Sequence, residues 1–315
     1  MCMFSRPVIS VSATNIFARM TSSQSQFLVY QMSYKSDQTN AMILPIPVQL
    51  PASEESVKFI DLSHYKEFFS DFQLGFPCVA RVSFGCSGGT KSVMTDLKVF
   101  QVGDYIASFV PKLPDFSRLD DRFRLSDSVW SQLPDYQDFG FVVFQLAEGS
   151  FKPHPMAFEF VSRNRSIFFP TRHVHDDEVH PTEDFDHGLF LQHAGLDSLV
   201  GNYQDCDLPD PNTNWIRSKQ IASRFLKTQD TRGAVVPDLL VHRKIVIGNQ
   251  PNQDFEFSPL GHPELLSFNF RPWAAWTPWM LGAVGLSWFF TRRERIRRAR
   301  MAASTASMCR LRDSF

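Results

Sequence analysis

Cysteine is scarce and irregularly placed: five residues, Cys2, Cys78, Cys86, Cys206 and Cys309, in a chain of 315. An odd count without regular spacing is not a disulfide framework. It suits free thiols in a reducing compartment; the spacing permits a single Cys78–Cys86 bridge but does not indicate one. Tyrosine is also sparse, at 6 residues against 31 Phe. Phe has no polar handle, so most of these rings are expected to be buried. Near the N-terminus there is no continuous apolar stretch of the kind a signal peptide needs, because Pro7–Ala18 is broken by Ser10, Ser12, Thr14 and Asn15. No internal repeat is visible, and strands and helices do not alternate regularly as in a doubly wound sheet.

Charge is low overall but unevenly spread. Residues 292–315 carry eight Arg against Glu294 and Asp313, a net of +6, which leaves −7 for the rest of a chain whose formal total is −1. The acidic body has no field that would attract nucleic acid; only the tail does. With 43% hydrophobic residues the body has ample material for a core.

Short β-branched and aromatic runs predict strands at Val8–Ser12, Asn15–Ala18, Gln26–Tyr34, Ala41–Ile46, Cys78–Phe84, Leu97–Val102, Tyr105–Val110, Gly140–Leu146, Met156–Val161, Ser166–Phe169, Leu189–Gln192 and Leu240–Ile247. A hairpin turn is expected at Ser162–Arg165. Three-to-four spacing of apolar residues predicts helices over Asp61–Phe72, with Ser63 as N-cap, and over Trp215–Leu226. The expected fold class is α+β: a mainly antiparallel sheet body over residues 1–270 with a few short helices, subdivided near 207–214, followed by a C-terminal helix and Arg-rich tail at 271–315.

Ala41–Val48 (AMILPIPV), Val102–Pro111 (VGDYIASFVP), His154–Phe160 (HPMAFEF) and Phe169–His187 (FPTRHVHDDEVHPTEDFDH) resemble a family of uncharacterised bacterial proteins, over roughly residues 5–255. That family has no assigned activity. The resemblance therefore implies only that these segments belong to one unit.

Five of the nine His fall between 173 and 193, interleaved with acids. If the strand before Arg172 continues, His173 and His175 share a face, because side chains alternate with period two. A same-face His pair is a platform for zinc or another divalent metal, completed by His180, His187, Glu178 or Asp186. With an open position it could activate water for hydrolysis. The competing reading is a solvated acidic loop, since residues 173–187 hold six acids and no base. Gly85-Cys86-Ser87-Gly88-Gly89 matches G-x-S-x-G, which makes Ser87 a candidate nucleophile, with His242 downstream. The same glycines suit a plain turn.

Pro272–Thr291 has no charge over 20 residues, with Trp273, Trp276 and Trp279 at one end, Trp288 near the other, and Arg292 and Arg293 directly after it. As a helix it would span about 30 Å, so a transmembrane segment and a membrane location are expected. Two functions follow. One is a membrane-associated protein whose body is a binding or structural module. The other is a metal-dependent hydrolase built on the His cluster.

Overall fold

The computed structural model describes residues 3–76, 100–103, 105–199, 209–210 and 213–258. The chain divides into Met1–His262 and Pro263–Phe315, and every described residue falls in the first unit. In chain order the strands are β1 (Met3–Phe4), β2 (Ser10–Met20), β3 (Ser25–Ser36), β4 (Asn40–Ile46), β5 (Val57–Asp61), β6 (Phe100–Val102), β7 (Tyr105–Val110), β8 (Gly140–Leu146), β9 (Gly149–Phe151), β10 (Met156–Val161), β11 (Ile167–Phe169), β12 (Thr182–Leu191), β13 (Ile216–Arg217), β14 (His242–Pro251) and β15 (Phe255–Phe257). The helices are α1 (Phe68–Leu74), α2 (Asp127–Ser131) and α3 (Ala194–Leu199), with short 3-10 turns between strands.

The strands form one sheet in the order β1-β4-β8-β7-β6 and a larger one in the order β13-β14-β12-β2-β3-β10-β5, with β9 added on β3. A third pair joins β11 to β15. The pairings are antiparallel except that of β12 with β2, where His187 lies opposite Thr14 in parallel register.

The central strands of both large sheets carry buried residues on two faces, and their period-two alternation feeds different cores. Leu28, Tyr30 and Met32 of β3 join Met42 and Leu44 of β4, and Val142 and Phe144 of β8, in the core shared by the two sheets. The alternate residues Val29 and Phe27 face a second core built with Phe17, Phe190 and the α1 rings Phe68, Phe69 and Phe72. On the far side of the smaller sheet, Ala41, Ile43, Phe141 and Val143 meet Phe116, Phe123, Val129 and Tyr136. The Phe surplus is spent here: each fully buried ring contributes roughly 1.5–3 kcal/mol over leaving it in water.

The α+β, mainly antiparallel reading holds at this level. Three local expectations change. Asp61 ends β5 rather than opening a helix, because β5 pairs with β10, and helix α1 starts only at Phe68 without Ser63 as its cap. Trp215–Leu226 is not helical: Ile216–Arg217 adds to β14, and Ala222–Arg224 is a single 3-10 turn. Ser162–Arg165 does not join a hairpin, since β10 pairs with β3 and β5 while β11 pairs with β15.

The transmembrane expectation is corrected as well. Among the described residues no helix is long and apolar enough to cross a membrane. The longest, α1, has seven residues, against about 20 for a span. Most of the described large apolar residues are instead buried in the three cores. The membrane location inferred from the sequence falls with that helix. The segment it rested on, with Trp273, Trp276, Trp279, Trp288, Arg292 and Arg293, lies outside the described residues, as does the expected C-terminal helix.

Candidate metal centre on strand β12

The run 182–187, expected from its acids to be loop, is the first half of β12, paired to β14 from Thr182 opposite Pro251 to Leu191 opposite His242. Alternation along this strand sorts the polar residues. Glu183, Phe185, His187 and Leu189 share one face. Asp184 and Asp186 take the other, where the Asp186 carboxylate accepts the Ala13 N–H at 2.6 Å.

Residues 171–175 cross the first of these faces. Val174 bridges to Met3 and is fully buried. His173 and His175 therefore point to the opposite side from it, with rings 5.1 Å apart and 25° from parallel. The same-face geometry expected for this pair is thus present, although Val174 makes only an isolated bridge. Asn252 fixes the segment: its Oδ1 accepts the His173 N–H at 2.7 Å, and its Nδ2 donates to the His173 and His180 carbonyls at 3.0 and 2.9 Å.

His173 lies at the centre of a stack of rings. Phe185 lies 4.2 Å from it and His187 5.3 Å, both nearly parallel. Its Nδ1 lies 3.9 Å from the Glu183 carboxylate. One donor atom each from His173, His175 and Glu183 fall within 4.8 Å of one another. Burial pushes the His173 imidazole well below its ordinary range, and that of His175 down to about 4. Both are therefore neutral at pH 7, the form that ligates metals. The His175 Nε2 is enclosed and has no hydrogen-bond partner among the described residues, an arrangement that costs free energy unless something accepts or coordinates there.

The other expected ligands are arranged differently. His180 is paired with Asp176 at 2.8 Å in an exposed turn that also holds Glu178. That pairing raises the His180 pKa through the hydrogen bond to the Asp176 carboxylate. Asp177 closes the turn at φ 66°, a left-handed conformation Asp tolerates. His187 packs against His173, and Asp186 faces away. Glu183 and Asn252 were not singled out by sequence reasoning. A strand rather than a loop over 182–187 would have exposed Glu183 at once, because it shares parity with His187. Ser87 and Cys86 lie outside the described residues. His242 is buried in β14 with its Nε2 2.5 Å from Asp197 of α3.

No family model matches the chain, and no curated protein matches it. Among solved structures it is similar to the crystal structure of baculovirus P35, at 14% identity over 82% of this chain and 100% of that one, with a TM-score of 0.45. It is also similar to a chain of the caspase-8/P35 complex, at 12% identity over 78% of this chain and 96% of that one, with a TM-score of 0.42. Likenesses at this level carry no functional argument.

Proposed function

We propose that this chain is a β-sheet binding module in which His173, His175 and Glu183 hold one divalent metal ion, zinc by donor chemistry, as a clamp between residues 171–175 and β12. The observation that carries the reading is the convergence of the three donors within 4.8 Å from two separately anchored segments. Two neutral imidazoles and a carboxylate form a donor set zinc accepts. Bonds of about 2.0–2.2 Å require the three side chains to close in slightly around the ion.

A structural role is favoured over hydrolysis. Hydrolysis needs an open coordination position beside a substrate cavity. His173 has no exposed surface. The cavity on this side of β12 is lined by Phe185 and His187, and not by any of the three donors.

The test is the metal content of purified full-length protein after reconstitution with zinc, compared with His173→Ala/His175→Ala and with Glu183→Gln. About one zinc per wild-type chain is expected, with loss in the double variant and a lower thermal midpoint on chelation of wild type alone. Wild-type protein that retains no stoichiometric zinc, iron or manganese, or a double variant that retains as much as wild type, overturns the reading.

A further inference from the structure

We infer that the cavity between β12, β14 and β15 is a binding site for a small amphiphilic anion, with its charged group on the Lys244 ammonium and its apolar body against Phe185, Leu189 and Val246. The cavity holds about 370 Å³, within the size range of small-molecule sites. It is separate from the metal donors, although Phe185 and His187 border both.

Lys244 is the one Lys or Arg among the lining residues. Its Nζ lies 4.7 Å over the Phe255 ring, and no carboxylate among the described residues pairs with it. Burial lowers its pKa, with no opposing charge to restore it. A partly desolvated ammonium without a counter-ion is a standing cost that an anion relieves.

The one carboxylate among the lining residues, Asp254, does not supply that relief. Its Oδ1 accepts the Thr171 and Arg172 N–H groups at 2.8 and 3.0 Å, and its Oδ2 accepts the Tyr136 hydroxyl at 2.5 Å. Burial also pushes the Asp254 carboxyl up, toward the neutral form. The uncompensated charge in the cavity is therefore positive. Asn214 and Gln253 also stand on its wall, their side-chain amides without a hydrogen-bond partner among the described residues, and so available to the same anion. A wall of mixed character, apolar at Phe185, Leu189 and Val246 and polar around one cation and a few amides, suits a carboxylate or sulfonate on a small hydrophobic body. It disfavours a polyphosphate, which would need several cations.

The experiment titrates the full chain with two dyes of similar shape, anionic 8-anilinonaphthalene-1-sulfonate and neutral N-phenyl-1-naphthylamine. Octanoate serves as competitor. Wild type should bind the sulfonate saturably, and octanoate should displace it. Lys244→Met should weaken the sulfonate about tenfold or more, the scale of one charge-assisted hydrogen bond. The neutral dye should keep its affinity within about twofold, and Lys244→Arg should retain most sulfonate binding. No saturable sulfonate binding, unchanged sulfonate affinity in Lys244→Met, or equal loss of both dyes each overturns the proposal. Thermal melts of each variant confirm that it is folded. Running the titration on zinc-loaded and chelated protein separates this result from the metal clamp, because the anion site uses none of its donors.

Discussion

The side chain of Asn252 grips the backbone of His173 from both sides, accepting its N–H at 2.7 Å and donating to its carbonyl at 3.0 Å. A single residue after β14 thereby sets the position of a segment nearly 80 positions earlier in the chain. Asn252 is largely buried, so its removal strands backbone groups that water does not reach. Asn252→Ala should cost about 1–3 kcal/mol in urea denaturation. It should also weaken zinc binding by about 10–100-fold, as loss of a ligand-orienting group does. A zinc affinity equal to wild type would separate the clamp from this hydrogen bond.

Asp254 sets a second, pH-dependent term. Burial raises its pKa above the ordinary carboxyl value, so the folded chain holds this proton more tightly than the unfolded one. Its contribution is fully present below the ordinary carboxyl pKa and is lost as pH rises through the folded value. Asp254→Asn retains an oxygen for the Thr171 and Arg172 N–H groups but cannot ionise. Stability measured from pH 4 to 7 should therefore decline less steeply, or rise more, in Asp254→Asn than in wild type. Parallel profiles would show that the buried carboxyl does not titrate in this window.

His242 has the opposite sign. Burial, partly offset by Asp197, lowers its pKa below the ordinary imidazole value. Its contribution is complete above about pH 6.5 and falls as the solution is acidified. His242→Gln should be less stable than wild type at pH 7.5, with a gap that narrows toward pH 5 in chemical denaturation. A constant gap would mean that the ring loses its contact with Asp197 without a proton being involved.

Gly140 opens β8 against close neighbours in the smaller sheet. A Cβ there would lie 2.5 Å from the Phe109 ring and 2.9 Å from Val48 Cγ1. Gly140→Ala should destabilise by about 1–3 kcal/mol through overpacking. Phe109→Leu, introduced with it, should recover part of that loss in a double-mutant cycle. Additive effects would place the strain elsewhere.

Much of the sheet framework was legible in the sequence. Tyr105–Val110, Gly140–Leu146 and Met156–Val161 carry dense β-branched and aromatic runs with turn residues at both ends, and each is a strand with those bounds. Acid content misled at Thr182–Phe185: charge suggests solvent, but Thr182, Asp184 and Asp186 occupy the open face of a strand whose other face is buried. Trp215–Leu226 has helical spacing, yet Trp215 is enclosed by Phe169, Phe255 and Phe257, and tertiary packing overrode the local period. At the candidate site the pair His173 and His175 was readable from spacing alone. Glu183 required the strand assignment. Asn252 and Lys244 required the pairing of β14 with β12, which no local pattern announces.

The parallel pairing of β12 with β2 has a consequence during synthesis. β2 and β3 are adjacent in sequence and can form a hairpin early, but the other edge of β2 pairs, among the described residues, with β12. From Met20 to Thr182 the ribosome must add more than 160 residues, roughly ten to thirty seconds of translation. For that interval the nascent hairpin carries an open edge next to Phe17, the kind of surface that recruits other strands. The chain's yield in a cell should therefore depend on holdase chaperones and on translation speed more than its finished stability would suggest.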